Sequence, residues 1–472
     1  MRPLSLSQIV KWTGGHLEAA GDAGQDVLID AVCTDSRTLD ASDGRAALFV
    51  ALVGEKFDGH DHVAAAAEQG ARAALVSRPV VARVPQVVVA DTVRALAALA
   101  AAMQHGRKAR VIAVTGSNGK TTVKQLLLSI LQRAGKAYAN PGNRNNEIGL
   151  PLAVIDASED AAFVVYEMGA GKPGDIAYLT AIARPHVTLV NNVSAAHLER
   201  MQSLDGVAET KGAIHDALPA DGVAVVNADD AFAERFAQRV REGHPQRRVI
   251  RFALDAAAEV TARHVELRED GASFVLVTPA GDARIALPLS GRHNVANALA
   301  ATSLALACGV GLDAIAAGLD DARPVAGRLV RHRLANGGWL IDDSYNANPA
   351  SLAAAIDTMA AMSGESWLVL GDMRELGADA EALHAEAGRH AKAAGIARLY
   401  VLGDLSARAA EAFGDGAMRF HSHEALAEAL HEGMHTLVRV LVKGSRGSAM
   451  DRVVTALLER NGGNDGEIEN AA

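Results

Sequence analysis

Short apolar runs that close on glycine, asparagine or aspartate recur through this sequence, each followed by a segment with helical spacing. "ARVIAVTG", "AFVVYEMG", "HVTLVNNV" and "GVAVVNADD" succeed one another between residues 109 and 230. Such runs lack the polar alternation of a half-exposed strand. Alternating with helices, they read as strands of a parallel sheet covered on both faces. "GWLIDDSYNANP", "WLVLGDM", "RLYVLGD" and "TLVRVLVKGS" repeat the pattern beyond Gly327. That predicts a second doubly wound unit.

A chain of 472 residues exceeds one ordinary core, so two or three domains are expected. Residues 1–88 mix short strands with an alanine-rich helix and form a small α/β domain. Residues 89–326 carry the first parallel sheet, and residues 327–472 the second. Within the central domain, "ASFVLVT" and "ARIALPL" flank the turn "PAGD", which predicts a small antiparallel insertion. The tail Asn461–Ala472 reads as loosely ordered.

The composition narrows the partners. With 46 basic against 56 acidic residues the net charge is −10, so the overall field does not attract nucleic acid or an anionic membrane. Anionic substrates would need local donors. Two distant cysteines, Cys33 and Cys308, cannot build a disulfide framework. The first residues lack a signal-peptide core, and the greasiest stretch, Ala95–Met103, is too short and alanine-rich to span a bilayer. A cytoplasmic protein without membrane insertion is expected.

The most informative stretch is "VIAVTGSNGKTTVKQLLLSI", Val111–Ile130. A strand, a glycine turn, Lys-Thr and a helix make a phosphate cradle. Gly116 and Gly119 let backbone N–H groups point inward, and the helix presents its positive end. Lys120 can reach the outer phosphates, and the Thr121 hydroxyl can ligate Mg²⁺. The two glycines have two residues between them where the common motif has four. The competing reading is a plain strand-to-helix turn with a solvent-facing lysine.

"TGSNGKTT" resembles the ATP loop of the Mur ligases, whose loop is shortened in this way. "TDSR" (Thr34–Arg37) and "FDGHDHVAAAAEQGA" (Phe57–Ala71) resemble the family's domain for a UDP-sugar substrate. "PGNRNNEIGLP" (Pro141–Pro151), "EMGAGKPGDI" (Glu167–Ile176), "DDSYNANP" (Asp342–Pro349), "LGDMRELG" (Leu370–Gly377) and "VKGSR" (Val442–Arg446) are similar to the D-alanyl-D-alanine-adding branch. The "DNPR" string typical of diaminopimelate-adding relatives is absent. One departure is Arg45 in "DGRAALFVAL", where the family usually shows Gly-Asp before the strand. An altered turn is expected there.

The resemblance implies a small N-terminal UDP-substrate domain, a central P-loop ATPase domain and a C-terminal Rossmann-like domain. It also implies an amide ligase acting on UDP-N-acetylmuramoyl-tripeptide and D-alanyl-D-alanine, with ATP and Mg²⁺ and an acyl-phosphate intermediate. A monomer is expected. The loop Thr115, Gly116, Ser117, Asn118, Gly119, Lys120, Thr121 and Thr122 would hold ATP. Glu167 closes an otherwise apolar strand, where α/β sites lie, and a carboxylate suits Mg²⁺.

For other residues the resemblance goes further than the residues themselves. His197 reads alone as a helix-start histidine, and the family uses a histidine here for a second Mg²⁺. Lys211 reads alone as a solvated helix lysine, and the matching family lysine is carbamylated into an anionic metal ligand. Asn294, with His293 and Asn297, would contact ATP or cap a buried helix. Arg328 suits phosphate. Asp343 could hold a ribose hydroxyl, and Tyr345 and Asn346 could contact adenine; the alternative is a strand end or helix cap. Ser36 and Arg37 are candidates for the UDP-sugar, or a turn. Asn145 and Asn146 would face the peptide end. Lys443, Ser445 and Arg446 are candidates for D-alanyl-D-alanine.

Overall fold

The computed structural model describes residues 1–18, 27–195 and 198–460. His197 and the expected loose tail Asn461–Ala472 lie outside the described residues. Three α/β units follow one another along the chain. In the first, a five-stranded sheet runs His16–Glu18, Gln86–Val88, Ala71–Val76, Ala47–Val50, Ala31–Cys33. Only its His16–Glu18 edge is antiparallel. The turn before Ala47–Val50 is a 3₁₀ segment, Ala41–Asp43, closed by a left-handed Gly44.

The helix Thr92–His105 starts sharply because Asp91 accepts from the N–H groups of Val93 and Arg94, satisfying two of the helix's orphan donors. Its alanine- and leucine-rich surface lets it pack on the helix Leu6–Thr13 and on Gly149–Asp156 and Asp175–Ala183. It therefore joins the first unit to the second, and it is no membrane span. No described helix is long and apolar enough to cross a bilayer.

The central sheet has six parallel strands in the order Arg248–Phe252, Val223–Asn227, Val187–Val190, Arg110–Thr115, Phe163–Glu167, Ala137–Ala139. Val111–Val114, Val164–Tyr166 and Val187–Val190 are fully or almost fully buried, as parallel strands covered on both faces must be. From Arg110–Thr115 the chain winds first to one side and later to the other. The glycine turn after Thr115 thus sits at the topological switch point, where open α/β sheets bind ligands. The antiparallel insertion is a three-stranded sheet, Thr261–Leu267, Ala272–Thr278 and Gly281–Leu287.

The third unit is a six-stranded sheet ordered Val330–Arg333, Trp339–Asp343, Val438–Lys443, Glu365–Gly371, Arg398–Leu402, Ala417–Phe420, parallel except for its first strand. Asp343 and Lys443 are register partners at the ends of adjacent strands. The helix Pro349–Ala360 opens with Pro349 and a capping box on Asn348. The aspartates at 342 and 343 do not cap it.

In this unit the helices Ala380–Ala393 and Ser406–Phe413 cross at Gly388. A Cβ there would stand 2.1 Å from the Ala409 carbonyl oxygen and 2.9 Å from its Cα, and backbone cannot give way cheaply. Gly388→Ala is expected to destabilise the C-terminal unit by roughly 1–3 kcal/mol from overpacking, despite alanine's better helix propensity. Scanning calorimetry reads this as a lowered transition. An unmoved transition would mean the helices part at no cost.

Candidate active site

Strand ends and helix starts from the central and C-terminal units frame one cleft of about 700 Å³. Its lining includes Lys120, Lys172, Arg200, Arg323, Arg328, Lys443 and Arg446 against Glu147, Glu167, Asp175 and Asp343. Seven cations facing four carboxylates make the cleft locally positive on a chain of net charge −10. Local donors of this kind suit anionic ligands.

The glycine turn supplies the floor. Gly119 takes φ +77°, and a Cβ there would lie 2.3 Å from Asn297 Oδ1 and 2.5 Å from Asn191 Nδ2. Both the left-handed backbone and the close approach require glycine. No side chain caps the helix Lys120–Ala134 that follows, so its first N–H groups are left to a ligand. The turn is braced from the neighbouring strand end: Asn192 Oδ1 accepts from the Asn118 N–H at 2.8 Å, and Asn191 Nδ2 donates to the Asn118 carbonyl at 3.0 Å. Ser117 Oγ donates to the Ser194 carbonyl at 3.1 Å.

Lys120 Nζ donates to the carbonyls of Gly116 at 2.7 Å and Ser117 at 3.3 Å. Burial pushes its ammonium below the usual lysine range; Glu167 pulls it back up and Arg328 pushes it further down. Thr122 lines the cleft. Thr115 does not: it is fully buried and its hydroxyl donates to the Met168 carbonyl at 2.9 Å.

Glu167 is 3% exposed and is surrounded by donors. The Thr121 hydroxyl donates to its Oε2 at 2.9 Å, Lys124 Nζ stands 3.1 Å from the same oxygen, and Asn145 Nδ2 donates to Oε1 at 2.9 Å. Burial alone would push this carboxyl up. The charges of Lys124, Lys120 and Arg328, with the Thr121 hydroxyl, outweigh it and hold the group below its ordinary value. Arg328 donates from Nη2 to Thr121 Oγ1 at 2.9 Å, and its guanidinium lies 4.5 Å from the centre of the Tyr345 ring. The linker arginine thus reaches back into the central unit. Asn348 Nδ2 does the same, donating to Asn118 Oδ1 at 2.7 Å.

Thr121 Oγ1 and Glu167 Oε2 form a pair of hard oxygen donors beside the cradle. That chemistry fits a Mg²⁺ which brings phosphate and water oxygens with it. No cluster of three or more His, Cys, Asp or Glu stands among the described residues.

Lys211 overturns its reading as a solvated helix residue. It is on the helix Leu204–Gly212 as expected, but only 1% exposed. Burial, and then the field of Lys120, drive its ammonium well below the usual lysine range. The field of Lys120 reaches it, so Lys211 lies within electrostatic range of the cradle. Asn294 and Asn297 are also buried, joined at 3.1 Å, and Asn297 Oδ1 accepts from Asn191. His293 lines the cleft, and burial, then Lys443, lower its imidazole to about 4.

In the third unit the structure pairs two candidates with each other. Lys443 Nζ lies 2.5 Å from Asp343 Oδ2 and donates to the Asn346 carbonyl at 3.0 Å. Burial raises the Asp343 carboxyl against the pull of Lys443. Ser445 Oγ is turned to the Ala347 carbonyl and receives the Arg374 N–H. Arg446, Tyr345, Asn346 and Asn146 line the cleft. Ser36 and Arg37 are absent from that lining; Arg37 is held on the surface by Asp35 at 2.7 and 2.9 Å. Sequence reasoning missed Lys124, Asn140, Asn191, Asn192 and Asn348. For Lys124 a signal was present, because it falls four residues after Lys120 on the same helix face.

Three family models cover most of the chain: the Mur ligase family catalytic domain over residues 28–105, the Mur ligase middle domain over 114–305 and the Mur ligase glutamate ligase domain over 327–446. The chain belongs to the Mur ligase family. This Mur ligase is 43% identical to the UDP-N-acetylmuramoyl-tripeptide–D-alanyl-D-alanine ligase of Escherichia coli K12, across 97% of this chain and 99% of the relative. Among solved structures it is similar to MurF from Acinetobacter baumannii, with a TM-score of 0.89 and 33% identity over 97% and 99% of the two chains. It is also similar to MurF ligase from Thermotoga maritima in complex with ADP, with a TM-score of 0.80 and 27% identity over 92% and 98%.

Gly119→Ala is expected to weaken ATP binding by about tenfold or more, the order set by roughly 1–2 kcal/mol of left-handed strain together with the clash on Asn297. Titration calorimetry with ATP measures it, with circular dichroism to check the fold. Unchanged affinity would remove the turn from the nucleotide site.

Proposed function

We propose that this Mur ligase uses ATP to join D-alanyl-D-alanine to UDP-N-acetylmuramoyl-tripeptide. The observation that carries the reading is the convergence of Lys120, Thr121, Glu167 and Arg328, from two units, on one cleft at the switch point of the sheet. A carboxylate oxygen of the tripeptide attacks the γ-phosphorus of ATP and the bond to the β-phosphate oxygen breaks. ADP leaves, and an acyl phosphate is formed. The amine of the dipeptide then attacks the acyl carbon, phosphate departs and a proton is released.

The first step crowds anionic oxygens together, so its barrier falls mainly through positioning and positive charge. Lys120 and the uncapped N–H groups of its helix hold the outer phosphates. Arg328 adds charge from the linker and keeps the C-terminal unit against the cradle. Thr121 and Glu167 would hold Mg²⁺, which when bound neutralises phosphate oxygens. A lowered Lys211 ammonium favours the amine form that takes up CO₂; the carbamate would add a further oxygen ligand, and His197 is assigned to a second Mg²⁺. Asn294 is assigned to ATP, as are Tyr345 and Asn346, which line the same cleft.

Asn145 and Asn146 face the peptide end, Arg446 and Lys443 the dipeptide, and Ser36 with Arg37 the UDP-sugar once the first unit approaches. A cytoplasmic location follows from the use of ATP. All groups named belong to one chain, so a monomer suffices.

The deciding experiment is ADP release with UDP-muramoyl-tripeptide, with and without D-alanyl-D-alanine, beside arms offering D-glutamate, diaminopimelate or lysine on the shorter precursors. Turnover restricted to tripeptide plus dipeptide is expected. Turnover with another pair would assign a different ligase step, and ATP binding without turnover on any pair would indicate a nucleotide-binding protein without ligase activity. Lys120→Ala is expected to lose about two to three decades of turnover, the range for one lost transition-state donor, while the fold persists; wild-type turnover would end the phosphate role of Lys120. Lys211→Ala is expected to be inactive and to recover part of its activity in a short-chain carboxylate such as acetate. A fully active Lys211→Ala protein would refute the carbamate.

A further inference from the structure

Lys124 has no part in the roles assigned so far. It stands one helical turn beyond Lys120 on the helix Lys120–Ala134, yet it is 1% exposed. An ammonium has three donors, and three partners surround this one: Glu167 Oε2 at 3.1 Å, the Asn140 carbonyl at 2.9 Å and the Gly142 carbonyl at 3.1 Å. A buried ammonium needs such company, because removing one partner leaves charge unanswered in a poor solvent. One partner is the carboxylate beside the cradle. The other two are backbone of the segment 140–146.

The same segment is tied to Glu167 by other routes. Asn140 brackets the Glu167 peptide, accepting from its N–H at 2.8 Å and donating to its carbonyl at 3.1 Å. Asn140 Nδ2 also donates to the Arg144 carbonyl at 2.8 Å. Asn145 holds Oε1, and its own carbonyl receives the Gly169 N–H at 2.8 Å. Asn143, Asn145 and Asn146 line the same cleft as the glycine turn.

We propose that Lys124 is a positioning residue that makes binding of the peptide end of the acyl substrate depend on occupancy of the nucleotide cradle. The proposal rests on the ligase reading. Glu167 Oε2 is shared between Thr121 and Lys124, so a ligand that draws this oxygen towards the cradle weakens its hold on Lys124. The ammonium then leans more on the carbonyls of Asn140 and Gly142, and the segment carrying Asn145 and Asn146 shifts with it. In the other direction, a substrate that pins Asn145 and Asn146 pins Glu167. Coupling of this kind is reciprocal in binding free energy.

The test compares the dissociation constant of UDP-muramoyl-tripeptide with and without saturating Mg²⁺ and a non-hydrolysable ATP analogue, by titration calorimetry on the full chain. The wild type is expected to show a ratio of about fivefold or more, the lower range of measured couplings. In Lys124→Met the ratio, each variant measured against itself with and without the analogue, is expected to fall to within about twofold of one. Lys124→Met strips a buried carboxylate of its cation, so Lys124→Gln, which keeps amide donors for the carbonyls, is measured beside it with thermal unfolding as control. A folded variant with the wild-type ratio, or a wild type with no coupling, overturns the proposal. Wild-type ADP release with an unchanged ratio in the variants sinks Lys124 alone, whereas failure of wild-type ADP release sinks the ligase reading beneath it.

Discussion

Glu167 is a carboxylate with almost no water around it, and in that position its charge has to be answered by the protein. The answer draws in every part of the cleft. Thr121 and Lys124 come from the helix after the glycine turn, Asn145 from the segment 140–146, and Arg328 from the linker to the third unit, acting on Thr121. A strand of wholly apolar residues delivers the charge to the switch point of the sheet, and the positions of the other groups follow from it. The excess of donors around one carboxylate also leaves the surroundings positive enough to receive phosphates.

Second in importance is the way amide side chains replace hydrophobic packing around the turn. Asn118, Asn191, Asn192, Asn297 and Asn348 form a hydrogen-bonded lattice across the central unit and into the third. Amides offer a donor and an acceptor without charge, so they fix the loop without competing for an anionic ligand. Farther out, Glu269 of the antiparallel insertion meets Ser363 Oγ at 2.9 Å and the guanidinium groups of Arg439 and Arg331 at 3.3 and 3.5 Å. These hold the third unit on a second side, close to where the chain crosses into it.

Much of this was legible in the sequence because it was local. Strand runs ending at Gly, Asn or Asp gave both parallel sheets, and the insertion was visible as two apolar runs about a Pro-Ala-Gly-Asp turn. Glu167 stood out as a carboxylate closing an apolar strand. What escaped depends on distant partners. Nothing in "GVAETKGAI" says that Lys211 is sealed from water, since that follows from how the helix Leu204–Gly212 packs. Asp343 and Lys443 are a hundred residues apart in the chain and meet only because their strands are neighbours. The asparagines of the lattice look like ordinary loop residues until the strand ends are brought together.

The contacts of Arg328 with Thr121 and of Asn348 with Asn118 have a consequence for inhibition. They are few, polar and short, and they lie where two separately cored units touch. A molecule lodged between them could bear no likeness to nucleotide, sugar or peptide and still stop the reaction, because it would act as a wedge. Such a compound would compete with closure of the protein on itself, and raising the concentration of any substrate would relieve it only as far as that substrate draws the two units together.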